Sequence, residues 1–590
     1  MKPRFKLTTL LIISLQAVLL VFAVGCGEKK AATAANLSKR STLYVVGYAH
    51  LDTQWRWDYP TTIREYITKT MRVNFDLIEK YPHYVFNFSG ARRYLMMKEY
   101  YPAEYEKVKA YIAAGRWFPS GSSFDENDVN SPSGESIVRQ LLYGTQFFRR
   151  EFGKTSAEYM LPDCFGFPAS LPSILAHCGI KGFSTQKLSS SWQPAPHVGG
   201  PDSAEKTPEG IPFNVGIWDG PDGKFVLAAL NPGSYGGQIT YDLSKTPPAP
   251  PKPDPEQPAT PQQQRRFRPL VDWPTRIALN GKVTGIFADY MYYGTGDTGG
   301  AAQESSVKLL EAIVTKGKIA EPKPFAARGQ RGPALEAPSQ APQGQSKTPA
   351  APDEITVGDG PVRVISATSE QMFLDIKPDK ISKLPRYKGD LELINHSAGS
   401  ITSQTYMKRW NRMNEVLADD AERASVAAAW LGGRPYPLER LNDAWALVLA
   451  NQMHDIIPGT SIPKAYEYSW NDEILASNQF AGVLTSAAGA VASVMDTRTE
   501  GAAVVVYNPL NIAREDVVEA ALGFPGGMPK AVRVLGPDGA DVPAQLTADH
   551  KVVFVAKVPS VGFAVYDVQP ADAPAASTLK VTGSSLENAR

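Results

Sequence analysis

Between Thr42 and Ile180 the chain alternates short apolar runs with amphipathic stretches of helical period, and this alternation restricts the fold more than any other feature. Leu43–Tyr48 reads as a buried strand, too short an apolar run for a helix. Thr61–Lys80 carries Ile63, Ile67, Met71 and Leu77–Ile78 at helical spacing and stops near Pro82. A second strand follows over Tyr84–Phe88, then a helix over Tyr105–Ala114 ending at Gly115. Ser133–Phe152 reads as a long helix, opened by Pro132-Ser133 with Glu135 in its first turn and closed by Gly153. Tyr159–Leu161 is another strand. Consecutive strands joined by helices imply a parallel sheet, open or closed into a barrel.

The order changes twice further on. Residues 245–269 and 320–353 are rich in Pro, Gln and Ala with almost nothing to bury, and read as disordered insertions in surface loops. From Arg386 the pattern turns helical. Trp410, Met413, Leu417, Ala421, Ala424, Ala428 and Leu431 trace one helix face up to Gly432-Gly433. A second helix is expected over Leu438–His454 and a third over Ser469–Val494. After Gly501 short β-rich runs alternate with turn residues, as at the start of a β-sandwich domain.

A net charge of +1 over 590 residues leaves no basic excess to attract nucleic acid. Lys2, Arg4 and Lys6 precede an apolar run from Leu7 to Val24, the pattern of an export signal. Ala23-Val24-Gly25 directly before Cys26 resembles the lipobox of bacterial lipoproteins, so residues 1–26 are expected to form a signal segment with Cys26 carrying the lipid. An uncleaved membrane anchor is the alternative. Either way the bulk of the chain would lie outside the cytoplasm, and in the lipobox reading it would be lipid-anchored in the cell envelope (periplasm or outer membrane). No second stretch reads as long and apolar enough to span a bilayer. Cys164 and Cys178 are expected to be two buried thiols.

Four short stretches carry chemistry. "AHLDTQW" places His50 and Asp52 just past the first strand; "LPDCFGF" places Asp163 just past a later one. In a parallel barrel such positions face the active site. "NQMHDIIPGTSI" sets His454-Asp455 at the end of a helix before a Pro-Gly turn, and "YYGTGDTGG" holds one carboxylate, Asp297, in a glycine-rich loop. Two imidazoles and two carboxylates suit a divalent ion such as zinc, and a catalytic zinc keeps one position open. Spacing alone does not prove the site. Asp163 could instead cap the following helix, His454 could serve a helix C-terminus, and Asp297 could hold its turn. Asp125, Glu126 and Asp128 form an acidic cluster that reads first as turn-making, with an acid role for one of them as the alternative.

These stretches, with "LPSIL" after "LPDCFGF" and "GRWFPSGSSFDENDVNSPSGESIVRQLLYG" between the first two, resemble glycoside hydrolase family 38, the retaining α-mannosidases, over about residues 42–590 apart from the Pro-rich insertions. The resemblance implies a (β/α)7-type barrel over residues 42–385 after a linker at 27–41, a three-helix bundle over 386–498 and an incomplete β domain over 499–590. It implies one zinc ion on His50, Asp52, Asp163 and His454, with Asp163 also the nucleophile. Trp55 and Phe165 would line the sugar site, Asp455 would orient the substrate or His454, and His396 would lie at the site wall. Asp297 is the expected general acid. Tyr48 stands where many relatives carry a histidine, and little consequence is expected. The implied substrate is a mannose-containing glycan. Two other readings stay open: a metal-dependent carbohydrate deacetylase, and a glycan-binding lipoprotein without activity.

Overall fold

The computed structural model describes residues 36–188, 213–249, 270–320, 354–393, 400–574 and 579–588. Cys26 with its apolar run, His396, most of the first Pro-rich insertion and nearly all of the second lie outside the described residues.

The strand β1 (Thr42–Ala49) is buried on both faces, which is why it reads as one apolar run. Six strands follow it before the next long ladder: β2 (Phe86–Ser89), β3 (Trp117–Ser120), β4 (Glu158–Met160), β5 (Gly182–Ser184), β6 (Val215–Asp219) and β7 (Phe225–Ala229). Then come β8 (Ala288–Thr295), the small hairpin β9 (Lys318–Ala320) and β10 (Glu354–Thr356), β11 (Arg363–Ser366) and β12 (Arg386–Lys388). β8 runs parallel to β1 along its whole length, from Thr42 opposite Ala288 to Ala49 opposite Thr295. Gly294 lies opposite Tyr48 in this ladder at φ 148°, and a Cβ there would fall 1.8 Å from the Tyr48 carbonyl oxygen. β11, β2 and β3 complete this sheet, all parallel. A second sheet has the order β12–β6–β7–β5–β4.

Among the described residues the barrel expectation therefore takes the form of two five-stranded sheets. β3 packs beside β4, and β6 beside β8, without a hydrogen-bonded ladder. β6 and β7 form an antiparallel pair, which interrupts the strand–helix alternation. β12 pairs with β6, so the domain boundary expected at residue 386 falls inside this sheet. Leu391, bridged to Phe167, extends the α/β domain further still.

Two of the helices read from the sequence are present, one with a refinement and one as expected. The stretch expected as one helix from Thr61 opens with a π-helical turn at Thr62–Ile67 before α1 (Thr68–Lys80). α2 (Gly134–Phe152) is capped as read: Ser133 Oγ accepts from the Ser136 N–H at 3.2 Å, and Gly153 closes it at φ 62°.

The bundle comprises α3 (Thr405–Leu431), α4 (Leu438–Asn451) and α5 (Pro463–Ala492). The first half of the expected α3 face is wrong. Met413 is 46% exposed, while Asn411, Asn414 and Glu415 point inward. They do so because polar partners wait there. Gln452 donates to Asn411 at 2.9 Å, Asn414 donates to Glu473 of α5 at 2.6 Å, and Ser136 donates to Glu415 at 2.7 Å. An apolar-periodicity argument cannot see a polar inner stripe. α5 is itself long and apolar enough to cross a bilayer by length and composition, which revises the expectation that no second stretch is; it packs along α3 and α4. Beyond it, two antiparallel sheets of four and three strands share a core containing Val534, Phe554, Tyr566 and Val568.

Neither cysteine pairs. Cys164 is buried as expected, but Cys178 is exposed, at the C-terminal end of a short helix where no layer covers it.

Candidate metal centre

The C-terminal ends of parallel strands build the site. His50 and Asp52 follow β1, Glu126 lies in the loop after β3, Asp163 follows β4, Lys187 follows β5, Tyr235 follows β7 and Asp297 follows β8. The loops after β1 and β8 stay joined beyond the sheet. The His50 N–H donates to Thr295 O at 3.1 Å and the Asp52 N–H to Asp297 O at 2.9 Å. His454 arrives from the bundle, three residues past α4. Its segment runs against residues 126–128: Asp128 N–H donates to Gln452 O at 2.8 Å and His454 N–H to Glu126 O at 3.1 Å. The Pro-Gly turn that follows needs its glycine, because a Cβ on Gly459 (φ 102°) would stand 2.8 Å from Ser403.

His50, Asp52, Asp163 and His454 converge so that one ligand atom of each lies within 4.8 Å of all the others. His50 Nε2 is 2.8 Å from Asp52 Oδ1 and 3.7 Å from Asp163 Oδ2. His454 Nε2 is 3.2 Å and 3.9 Å from the same two oxygens. Ligands about 2.1 Å from one tetrahedral ion stand roughly 3.4 Å apart, and the four separations bracket that value. Despite the short distances, His50 Nε2, His454 Nε2 and Asp52 Oδ1 are buried without a hydrogen bond. Buried polar atoms that face a common point without bonding one another have the arrangement a cation would satisfy. The donor set, two imidazoles and two carboxylates, fits a divalent ion of the zinc type.

The electrostatics favour positive charge at that point. Burial pulls the His50 imidazole down, but the Glu126 and Asp52 carboxylates more than offset it and raise His50 to about 10. His454 is likewise raised against its own desolvation, first by Asp52. Burial pushes Glu126 up while His50 and Arg93 bring it down to about 2. Asp455 goes the other way, raised to about 7 by burial and then by the Asp52 charge.

Of the remaining expected residues, Phe165, Asp455 and Asp297 stand at or beside this centre. Phe165 is buried and sets its ring edge-on to His454 at 6.0 Å between centroids. Asp455 Oδ2 lies 3.8 Å from His454 Nε2, and its Oδ1 accepts from Thr460. Trp55 is half-buried, and its carbonyl accepts from Ile462 N–H at 2.8 Å. Asp297 stands one residue away from the cluster: Tyr235 donates to its Oδ1 at 3.0 Å and stacks on His50 at 4.7 Å. His396 is the residue that falls outside the description.

Sequence reasoning missed four participants. Lys187 Nζ is 3.0 Å from Asp163 Oδ1 and 4.3 Å from the Phe165 ring centre. Tyr235 had no motif to announce it. Arg93, fully buried, donates through Nε to Leu51 O at 2.8 Å, between the two first ligands. Glu126, first read as turn-making, is fully buried and accepts from Tyr48 and Ser89. Thus Tyr48 holds the shell behind the ligands.

Residues 40–319 match the N-terminal domain of glycosyl hydrolases family 38, and residues 396–489 match the alpha mannosidase middle domain. The chain belongs to glycoside hydrolase family 38. It is 29% identical over 433 residues to alpha-mannosidase G of Dictyostelium discoideum, covering 73% of this chain and 32% of that one. It is also 29% identical over 490 residues to human alpha-mannosidase 2C1, covering 82% and 38%. The chain thus spans about a third of the length of these relatives. The crystal structure of an alpha-mannosidase from Enterococcus faecalis V583 shares the fold, with a TM-score of 0.63 at 16% identity over 92% of this chain and 58% of that one.

Proposed function

We propose that this chain is a retaining, exo-acting α-mannosidase that removes terminal α-linked mannose from glycans, with one zinc ion on His50, Asp52, Asp163 and His454. The observation that carries the reading is the position of Asp163. One of its oxygens faces the two imidazoles, the other faces Lys187, and the residue sits at the mouth formed by the strand ends. When bound, zinc supplies a Lewis-acidic charge that grips neighbouring ring hydroxyls, and mannose is marked by its axial 2-hydroxyl.

The chain's own residues carry the rest. Retention needs two carboxyl groups roughly 5 Å apart across the scissile bond. Asp163 attacks the anomeric carbon and forms a glycosyl ester as the bond to the leaving oxygen breaks. Asp297 gives its proton to that oxygen and afterwards takes one from the water that hydrolyses the ester. Lys187 balances the Asp163 charge. The faces of Phe165 and Trp55 give apolar contact to the ring.

The test is hydrolysis of an aryl α-mannoside by the purified full chain, with chelator, with zinc restored, and with Asp163→Asn. Chelator-sensitive release that zinc restores and the variant lacks supports the reading. No release from folded, zinc-loaded chain overturns it in favour of glycan binding alone. We further propose that Cys26 carries a lipid that holds the chain in the cell envelope, on the strength of the basic start, the apolar run and the small residues before Cys26. Cys26→Ser should abolish incorporation of a labelled fatty acid into the chain in cells; unchanged lipid labelling would refute the anchor.

A further inference from the structure

We infer that Glu126 is the positioning residue of the metal centre: through two different groups it sets which nitrogen of both ligand histidines faces the ion. The inference rests on the metal-centre reading above and adds a residue outside its ligand set.

The two groups act from one position. The backbone carbonyl of Glu126 lies 2.7 Å from His454 Nδ1. A carbonyl oxygen only accepts, so that nitrogen must carry a proton, and in the neutral ring it is Nε2 that keeps its lone pair for an ion. Nε2 is the atom turned toward Asp52 and Asp163. The side chain does the same for the other ring. Glu126 Oε2 lies 2.9 Å from His50 Nδ1, at a distance of close contact but off the hydrogen-bond direction. A carboxylate there keeps the proton on Nδ1 and leaves His50 Nε2 for Asp52 and Asp163.

The surroundings divide the two oxygens of the carboxylate between tasks. Its Oε1 accepts from Tyr48 and Ser89 and stands 3.6 Å from Arg93 Nη1. Its Oε2 is buried with no hydrogen-bond partner at all. Tyr48, Ser89 and Arg93 thus saturate one oxygen and pin the other against His50. The peptide is held equally firmly, since His454 N–H donates to the same Glu126 carbonyl at 3.1 Å and the flanking Asp128 N–H donates to Gln452 O. One residue therefore couples the α/β domain, which supplies His50, to the bundle, which supplies His454. Ligand histidines commonly hold their second nitrogen against a carboxylate or carbonyl in this way, and losing such a partner weakens metal binding by about 10–100-fold.

The variants separate the two groups, because every substitution at this position keeps the carbonyl on His454. Purified full-length wild type, Glu126→Gln and Glu126→Ala would be stripped of metal and titrated with zinc against a fluorescent chelator. Cobalt loading would be followed by its visible absorption. Expected are a loss of roughly tenfold in zinc affinity for Glu126→Gln and up to about 100-fold for Glu126→Ala, an altered cobalt spectrum, and a cooperative unfolding transition retained by metal-free Glu126→Gln, in which Asp125 still faces Arg93. Formate should restore part of the affinity of Glu126→Ala, whereas chloride at equal ionic strength should not. Folded variants that bind zinc as tightly as wild type overturn the inference while leaving the metal centre intact. A wild type that takes up neither metal overturns the metal centre and this inference together.

Discussion

Replacing Asp297 by Asn separates the proton-donor role proposed for it from its part in holding the loop. Its carbonyl accepts from the Asp52 N–H at 2.9 Å, and its backbone sits at φ 64°, where most side chains are strained. Asn tolerates that region, and its side-chain oxygen can still accept from Tyr235. The loop and the neighbouring ligand should therefore survive, and only the exchangeable proton is lost. General acid assistance is worth about 10²–10⁴-fold. That loss should appear in kcat/KM for a mannose-terminated disaccharide, whose leaving oxygen needs a proton. A dinitrophenyl α-mannoside, whose leaving group departs as a stable anion, should be cleaved at a bond-breaking rate close to wild type. Tyr235→Phe removes one hydrogen bond to a half-buried carboxyl, so its cost should sit near the lower end of about 1.5–3 kcal/mol, roughly tenfold. Equal losses on both substrates for Asp297→Asn would refute the proton-donor role and leave the residue as a loop element.

Three further outcomes follow from the packing. Arg93→Met strands Asp125 and Glu126, which face the buried guanidinium at 3.5 and 3.6 Å. The expected destabilisation is about 3–5 kcal/mol by denaturant unfolding, and a loss under about 1 kcal/mol would contradict the role given to Arg93. Burial raises Glu473 to about 8, whereas an unfolded Glu titrates near 4.3. The folded chain then keeps a proton that the unfolded chain releases, so stability falls as pH rises from about 4.3 toward 8. Glu473→Gln should flatten this slope, by up to about 1.4 kcal/mol per pH unit in that window; an unchanged slope in pH-dependent melting would count against the burial argument. Finally, a thiol reagent under native conditions should label exposed Cys178 and spare Cys164, whose thiol is buried and pushed up to about 12. Peptide mapping that finds both labelled, or the two joined, would contradict this.

Local order and the candidate ligands were legible because each leaves a mark within a few residues. A doubly buried strand is a short apolar run, a helix start is Pro132-Ser133, and the candidates just past strand ends are His50, Asp52 and Asp163. Their family resemblance tied these to His454, which no spacing rule joins to them. The closure of the sheets and the place of β12 needed three dimensions, because ladders form between segments far apart in the chain. So did the inner face of α3, since Asn411, Asn414 and Glu415 are buried only because Gln452, Glu473 and Ser136 meet them there.

What the sequence determined by itself is the set of groups that could hold an ion and the elements that carry them. Tertiary structure alone decided what stands behind those groups. Glu126 looks like a turn residue in a row of acids until the loop after β3 is pressed against the segment of His454. Lys187, Tyr235 and Arg93 have no local signature, because their roles arise from what lies opposite them. A ligand's chemistry is written in its own side chain, whereas its orientation is set by neighbours that only folding brings within about 3 Å.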